Sequence, residues 1–156
     1  MSPTDPATDP VTDPRVAAFW QAFLDGREGP PPELAEVFAF DDNAEGAAVC
    51  AAGVLSGEKT ATSSLAADYP VPPRPGDHVV VTELDGTPRA VIEYLSVDRM
   101  RFGDADEAFA RAEGDGTLAN WQAIHRRYYG ARCAAHGMEL DGGTELLRIF
   151  FRRVYP

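Results

Sequence analysis

The chain has little lysine, cysteine or histidine. Its 156 residues include one lysine, Lys59, although they contain thirteen arginines. The two cysteines, Cys50 and Cys133, lie in helical patterns without partners at metal-ligand spacing, which is typical of small buried apolar residues and not of a disulfide framework. Because the three histidines are also far apart in the sequence, at positions 78, 125 and 136, we expect no metal and no cofactor.

Long apolar segments are also missing. No run approaches the roughly 20 residues that a membrane-spanning helix needs. The sequence does not start with a basic segment followed by an apolar core, which would indicate a secretion signal. We therefore expect no membrane association and a cytoplasmic location.

Negative charge dominates, with a formal net charge of −11. An acidic chain repels polyphosphate, so we expect no binding to long duplex DNA. A nucleoside or a short RNA held in a local cationic pocket is compatible with this charge. The sequence leaves the oligomeric state open.

The length suits one compact domain, preceded by a short tail. Residues 1–13 contain the Thr-Asp-Pro repeat, which offers few backbone donors and little to bury, so we predict a disordered tail. Residues 14–156 are predicted to form a single domain. Asp13 is suited to cap its first helix and Pro14 to open it.

The remaining pattern predicts an α+β fold whose sheet is a small barrel. Apolar residues at helical spacing predict helices from Pro14 to Gly26 and from Ala44 to Leu55, the second stopped by Gly57. The predicted elements that follow are strands at His78–Leu84, Arg89–Val97 and Glu145–Tyr155, a short helix capped by Asp104 and a longer helix capped by Thr117.

Lys59 stands out because it is followed by the hydroxyl residues Thr60, Thr62, Ser63 and Ser64. A desolvated lysine can act as the general base for a neighbouring hydroxyl. In a regular strand Lys59 and Thr62 lie on opposite faces, so they converge only if the backbone bends after Gly57. A solvent-exposed lysine after a helix is the alternative, which the spacing alone favours.

Glu113 lies between a broken helix and a glycine-rich loop, where a carboxylate can be partly buried and still approach a ligand. The alternative is an acid near the positive end of the next helix. Asp115 suits that second role better, because it lies two residues before the predicted cap Thr117.

The long helix carries interleaved aromatic and basic residues: Trp121, His125, Arg126, Arg127, Tyr128 and Tyr129. Such a face can stack a base and contact phosphate. Core packing explains Trp121 and Tyr128 equally well and is the favoured interpretation from spacing. His125 lies on the apolar stripe, where a hydrogen-bonded core histidine is the commoner outcome.

Taken together, these motifs resemble the ASCH domain family. The similarity is carried by the residues from Gly57 to Leu65, by Pro75-Gly76-Asp77, by the residues from Phe109 to Gly114, and by Trp121 with His125 and Tyr129. It covers most of the chain from Asp13 to Tyr155. The family motif has an arginine five residues after the lysine, where this sequence has Ser64, and the loop after Glu113 is shorter here.

The resemblance implies a small PUA-like β-barrel with surrounding helices and a cleft for RNA or nucleosides. Some members are metal-independent amidohydrolases that deacetylate N-acetylated cytidine, and their catalytic set falls on Lys59, Thr62 and Glu113. We assign substrate binding to Ser63, Ser64, Trp121, His125, Tyr128 and Tyr129.

Three functions follow as hypotheses. The first is hydrolysis of N-acylated cytidine, in which Lys59 takes a proton from Thr62 or a water and Glu113 passes a proton to the leaving amine. The second is cleavage of short single-stranded RNA, in which Lys59 stabilises the phosphorane and His125 or Glu113 moves protons. The third is a module that binds RNA or a nucleotide without catalysis.

Overall fold

A computed structural model describes residues 13–156. Its helices are α1 (Pro14–Asp25), α2 (Ala44–Ser56), α3 (Glu107–Ala112) and α4 (Leu118–Ala135). Its strands are β1 (Leu34–Phe38), β2 (Ala61–Leu65), β3 (His78–Thr82), β4 (Pro88–Arg101) and β5 (Glu145–Tyr155). The predicted disordered tail lies outside the described residues, apart from Asp13.

In the described chain the strands form one five-stranded sheet in the order β1-β3-β4-β5-β2. β1 runs parallel to β3, and the other neighbouring pairs are antiparallel. The α+β class is therefore confirmed. Within residues 13–156 the edge strands β1 and β2 do not pair with each other, so the sheet is open and the expected barrel is not confirmed.

The helix ends follow the chemistry of the capping residues. The Asp13 carboxylate accepts a hydrogen bond from Arg15 N at 2.8 Å, and Pro14 opens α1. The Thr117 hydroxyl accepts from Asn120 N at 3.1 Å to start α4. These predicted caps are confirmed, because each side chain satisfies a donor that the first helical turn leaves free.

The predicted cap of α3 was wrong by two residues. Asp106, and not Asp104, accepts a hydrogen bond from Phe109 N at 2.8 Å. Asp104 ends a short 3-10 turn, Phe102–Asp104, that follows directly from β4. Both aspartates precede the apolar pattern at plausible distances, but Asp104 is part of the 3-10 turn and helix α3 begins only after Asp106.

The sequence reading also missed β1. Its residues Leu34–Phe38 lie in a segment without an alternating pattern, and three of the five are not fully buried. The strand exists because it pairs in parallel with β3, from Leu34 beside His78 to Phe38 beside Val81. A partner more than forty residues away leaves no local signal.

Helices cover both faces of the sheet. On one face, α2 packs Ala51 and Val54 against a cluster that includes Phe38, Val79 and Ile92. On the other face, α3 and α4 bury an aromatic cluster against β2, β4 and β5. α2, β2 and the junction of α3 with α4 meet around the candidate site.

Two expectations from composition can be compared with the structure. Cys133 is buried and Cys50 is partly buried, and both are free thiols, as the sequence predicts. Within residues 13–156, no helix is both long and apolar enough to cross a lipid bilayer.

Candidate functional site

A left-handed turn after α2 places Lys59. Gly57 ends the helix with a φ of 86°, a conformation that favours glycine. Lys59 N then donates to Gly53 O at 3.0 Å, and Thr60 N donates to Ala112 O at 2.8 Å. The chain is thereby turned back over α2 and tied to the end of α3 before β2 begins.

The lysine side chain points inward and is 6% exposed. Its Nζ donates to the backbone carbonyl oxygen of Glu113 at 2.9 Å and lies 3.5 Å from Glu113 Oε1. The ammonium also lies 4.8 Å from the centre of the Phe40 ring, within the range of a cation–π contact. The alternative of a solvent-exposed lysine is therefore excluded.

Glu113 ends α3 and is 4% exposed. Its carboxylate accepts hydrogen bonds from Ser63 N at 3.2 Å, from Ser63 Oγ at 3.0 Å and from the indole Nε1 of Trp121. Tyr129 Oη donates to Ser63 Oγ at 2.7 Å and orients that hydroxyl. These donors satisfy a buried charge that would otherwise be costly.

His125 completes the buried charged group. Its ring stacks on Trp121, four residues earlier in α4, at 4.3 Å between ring centres and 19° between planes. Nδ1 lies 2.7 Å from the carbonyl oxygen of Trp121, an acceptor, so this nitrogen carries a proton. Nε2 lies 3.5 Å from Glu113 Oε2. The carboxylate is thus flanked by Lys59 on one oxygen and by His125 on the other.

The charges of these groups shift their protonation. Burial alone would raise the pKa of Glu113, but the positive charges of His125 and Lys59 outweigh it, and the pKa falls to about 2. Burial alone would lower the pKa of His125, but the charge of Glu113 and the hydrogen bonds of the ring raise it. The favoured state is therefore an ionised Glu113 beside a protonated His125.

Asp115 lies at the outer edge of this group. One of its carboxylate oxygens is 3.9 Å from His125 Nδ1, and its side chain is 19% exposed. Burial, and then the negative charge of Glu113, raise the pKa of Asp115. The site thus holds one carboxylate that stays ionised and a second that takes up a proton more readily.

These side chains line a narrow pocket of about 50 Å³, called the Glu113 pocket below. An open groove of about 380 Å³ adjoins it along α2 and shares Cys50, Lys59, Glu113 and Asp115 with it. The pocket is too small for a whole nucleoside, since binding sites for small molecules usually enclose about 300–1,000 Å³. A larger ligand would need both spaces.

The structure brings together most of the predicted site residues. The Glu113 pocket is lined by Lys59, Thr62, Ser63, Glu113, His125, Tyr128 and Tyr129. The bend after Gly57 allows Lys59 and Thr62 to line the same pocket, although Thr62 Oγ1 makes its hydrogen bond to Ser63 O, at 3.4 Å. Both side chains line the pocket, and among residues 13–156 no hydrogen bond joins them.

Two predicted substrate contacts lie elsewhere. Ser64 is fully buried in β2 on the opposite face from Ser63. Trp121 is fully buried on α4, in the aromatic core cluster. Neither residue lines the Glu113 pocket. Trp121 instead supports the site from the core, because its indole donates a hydrogen bond to Glu113 and its ring stacks on His125.

Sequence reasoning missed five residues of the pocket wall: Phe40, Asp41, Cys50, Asp115 and Ile124. Asp115 had a usable signal, because it lies two residues after Glu113, although its position before Thr117 also suits an acid at a helix end. Ile124 is the neighbour of His125 in α4. Phe40, Asp41 and Cys50 had no signal, since they come from segments whose distance from Lys59 depends on how the helices pack.

Glu113, Asp115 and His125 also place potential metal ligands within 4.8 Å of one another. The donor set does not fit a cation. The Glu113 oxygens already accept hydrogen bonds from Ser63 and Trp121, and the Lys59 ammonium lies 3.5 Å from one of them. A metal would have to displace these donors and sit beside two positive side chains, which Coulomb repulsion opposes.

Comparison with known proteins supports the resemblance seen in the motifs. The family model of the ASCH domain matches residues 36–155. The chain belongs to the ASCH domain family. The match begins within β1 and extends to the end of β5, so it contains the sheet except the first two residues of β1, and every residue of the Glu113 pocket.

Two crystal structures are similar over most of this ASCH chain. The ASCH domain from Lactobacillus crispatus JV V101 is 30% identical, with a TM-score of 0.87 over 92% of this chain and 96% of that one. A protein from Enterococcus faecalis V583 is 29% identical, with a TM-score of 0.79 over 90% of this chain and 88% of that one. Comparison with curated proteins gave no match.

Proposed function

We propose that the protein hydrolyses the amide bond of an N-acylated cytidine. The observation that carries this proposal is the buried group of Lys59, Glu113 and His125 at the inner end of a narrow pocket, with the Thr62 hydroxyl on the same wall. Buried ionisable groups that converge on a pocket are typical of acid–base catalysis. The register of Lys59, Thr62 and Glu113 with the family motif suggests the substrate class.

The two spaces of the site suit the two parts of such a substrate. The Glu113 pocket, at about 50 Å³, has room for a small acyl group. The adjoining groove, at about 380 Å³, has room for the base and part of the sugar. In this arrangement the amide bond lies beside Lys59 and Glu113, which both spaces share.

The position of Lys59 in the pocket supports a basic role for this residue. Glu113 provides one negative charge, which two cationic side chains share at 3.5 Å each. To act as a base, Lys59 has to lose its proton first, and His125 remains beside Glu113 to compensate the carboxylate charge when it does. The uncharged form of Lys59 is the one that can accept a proton.

In the proposed reaction, Lys59 accepts the proton of Thr62 Oγ1 as that oxygen attacks the amide carbonyl carbon. The carbon–nitrogen bond breaks, and Lys59 delivers the same proton to the departing cytosine amine. Water then attacks the resulting ester. Lys59 accepts a proton from this water and delivers it to Thr62 Oγ1 as the ester bond breaks, which releases the carboxylic acid. A water activated directly by Lys59 would give the same products in one addition and one elimination.

Glu113 receives a different role from the one first expected. A carboxylate whose pKa is about 2 does not carry a proton near neutral pH, so it is unsuited to protonate the leaving amine. We assign it to positioning: it holds Lys59, Ser63 and His125 around the pocket. The proton for the leaving amine then comes from Lys59.

A binding module without catalysis is the second candidate. The complete hydrogen bonding of the Glu113 carboxylate favours it, because a satisfied carboxylate can hold the pocket shape without any chemistry. This function predicts saturable nucleoside binding without a product.

The assay follows cytidine release from N4-acetylcytidine by chromatography, with single-stranded RNA incubated in parallel. Hydrolysis predicts turnover of the nucleoside that is lost in Lys59→Ala, and RNA that stays intact. Turnover that persists in Lys59→Ala, or binding without turnover, would contradict the proposal. RNA fragments that disappear in Lys59→Ala would indicate the ribonuclease hypothesis instead.

A further inference from the structure

A second and larger cavity lies at the edge of the sheet formed by β1. It is lined by the start of β1, the start of β3 and the proline-rich loop that precedes β3, and its volume is about 570 Å³. It shares no lining residue with the Glu113 pocket. We call it the Glu36 pocket, after the carboxylate that lines it.

Among residues 13–156, Glu36 has no cationic partner. Its side chain is partly buried on β1, and Oε1 accepts a hydrogen bond from Tyr69 Oη at 2.9 Å. Residues 13–156 form no ion pair with this carboxylate within 4.0 Å. Burial raises the pKa of Glu36, and the Tyr69 hydrogen bond opposes that effect only in part. Carboxylates removed from water are usually paired with a positive group.

Tyr94 supplies the second unusual group in this pocket. The residue is 1% exposed, and its hydroxyl has no hydrogen-bond partner among residues 13–156. Tyr94 lines the same pocket as Glu36 and Asp77. A buried hydroxyl without a partner costs about 1–3 kcal/mol, and native proteins rarely leave one unless something else binds there.

The other charges at the pocket are also mainly negative. Glu33 and Asp77 line it together with Glu36, against a single cation, Arg74, which is exposed at the rim. One Asp77 carboxylate oxygen is occupied by the backbone N of Arg74 at 2.8 Å. The field inside the pocket therefore favours a cation, with Glu36 as its innermost carboxylate.

We propose that the Glu36 pocket is a second ligand site, which binds a compact organic cation carrying a protonated amine or a guanidinium group. An N–H of the ligand would donate to the Glu36 carboxylate, and a second N–H would donate to Tyr94 Oη. The tyrosine rings provide aromatic walls of the kind that cations contact favourably. This site is independent of the hydrolase proposed above.

The test titrates the full-length protein with methylguanidinium and with n-butylammonium in 150 mM salt, followed by amide NMR shifts. The neutral analogue n-butanol serves as the control ligand. We expect saturable shifts in residues 33–36, 69–77 and 94 with at least one cation and none with n-butanol. The absence of saturable shifts with both cations, or shifts confined to the Glu113 pocket, would overturn the proposal.

Three variants test whether the Glu36 carboxylate binds the cation. Glu36→Gln removes the negative charge at constant shape, so we expect affinity to fall about tenfold or more, as for a charged hydrogen bond. Tyr94→Phe should weaken binding less, and Glu139→Gln, which changes an exposed glutamate elsewhere, should not change it. Equal affinity in Glu36→Gln and native protein would contradict the assignment. If Glu36→Gln fails to fold, Tyr94→Phe and the location of the native shifts decide.

Discussion

Glu113 carries the negative charge on which the buried site depends. Lys59 and His125 lie 3.5 Å from its two oxygens, and the hydrogen bonds from Ser63 and Trp121 fix its position. Removing that charge leaves two buried cationic side chains facing each other. Breaking a buried ion pair by removing one partner typically costs about 3–5 kcal/mol.

We therefore expect Glu113→Gln to lower the free energy of unfolding by about 3 kcal/mol, measured by urea denaturation. Asp115→Asn is the matched control, because it changes a neighbouring carboxylate that lies beside another negative charge. Its unfolding free energy should stay within about 0.5 kcal/mol of the native value. Equal destabilisation by the two variants would show that the charge of Glu113 is not what stabilises the site.

The protonation of His125 gives a second prediction. Its pKa in the folded protein lies above the ordinary value of 6.5. Protonated His125 therefore adds stability that is fully present below pH 6.5 and is lost as the pH rises through the folded pKa. We expect an NMR titration of the imidazole to have its midpoint above 6.5 in the native protein and below that midpoint in Glu113→Gln. A native midpoint at or below 6.5 would contradict the pairing.

Glu113 titrates in the opposite direction. Its pKa falls from 4.5 in the unfolded chain to about 2 in the folded protein. Its contribution to stability is therefore present above pH 4.5 and is lost as the pH falls toward 2. The two groups together favour maximal stability at mildly acidic pH.

Among single residues, Lys59 could be singled out from the sequence because its residue type occurs once. Glu113 and Thr62 became candidates because they match the catalytic positions of the family motif, since their spacing alone did not single them out. Nothing in the sequence predicts that Ser63 and Trp121 both donate to Glu113, because those bonds cross 50 and 8 residues of chain and depend on side-chain directions. That Glu36 has no cationic partner within residues 13–156 could not be predicted for the same reason.

Among the elements, the turn between α2 and β2 contributes most to the site. Gly57 adopts a left-handed conformation with a φ of 86°, which turns Lys59 inward. A residue with a Cβ is strained in that conformation. The geometry of one glycine is thereby linked to the position of the only lysine.

We expect Gly57→Ala to destabilise the protein by about 1 kcal/mol and to lower nucleoside turnover, because the turn that carries Lys59 is strained. Gly130→Ala is the control: Gly130 lies inside α4, where an added Cβ meets nothing within 4 Å. That substitution should stabilise by about 0.5–1 kcal/mol through helix propensity. Thermal unfolding and the cytidine assay measure both effects, and a stabilising Gly57→Ala would contradict the role of the turn.

Elements with strong local signals were predicted well. α1, α2, α4 and β5 have clear periodicity and caps, and the prediction of β5 at Glu145–Tyr155 matches the structure. β1 was missed because its parallel pairing with β3 supplies the stability that its own residues lack. Local sequence patterns predict local interactions, and they do not predict the pairing of strands that are distant in the chain.

For the molecule as a whole, the net charge of −11 gives a prediction about nucleic acid. Duplex binding depends on neutralising several phosphates, and an acidic surface opposes it. We expect a fluorescein-labelled duplex DNA of about 30 base pairs to show no anisotropy change at micromolar protein and 50 mM salt, conditions in which phosphate contacts are strong. Tight binding that weakens steeply with salt would show a basic surface that the total charge conceals.

The open sheet shows what a resemblance can and cannot supply. The family motifs predicted the α+β class and the helices around the sheet, and the matched family model confirms the relationship. Closure into a barrel requires the edge strands to meet, and in residues 13–156 β1 and β2 stay at opposite edges. Whether strands meet is decided by the twist and length of the sheet, which motifs do not encode.

The proposed chemistry depends on Lys59 as a base, and Lys59→Arg tests that role directly. Arginine keeps a positive side chain in the Glu113 pocket but is not deprotonated in proteins, so it cannot accept a proton. With N4-acetylcytidine as substrate, we expect kcat/KM of Lys59→Arg to fall by about 100-fold or more, the usual contribution of a general base. Thermal unfolding confirms that the variant is folded. A folded Lys59→Arg protein with native kcat/KM would contradict the mechanism.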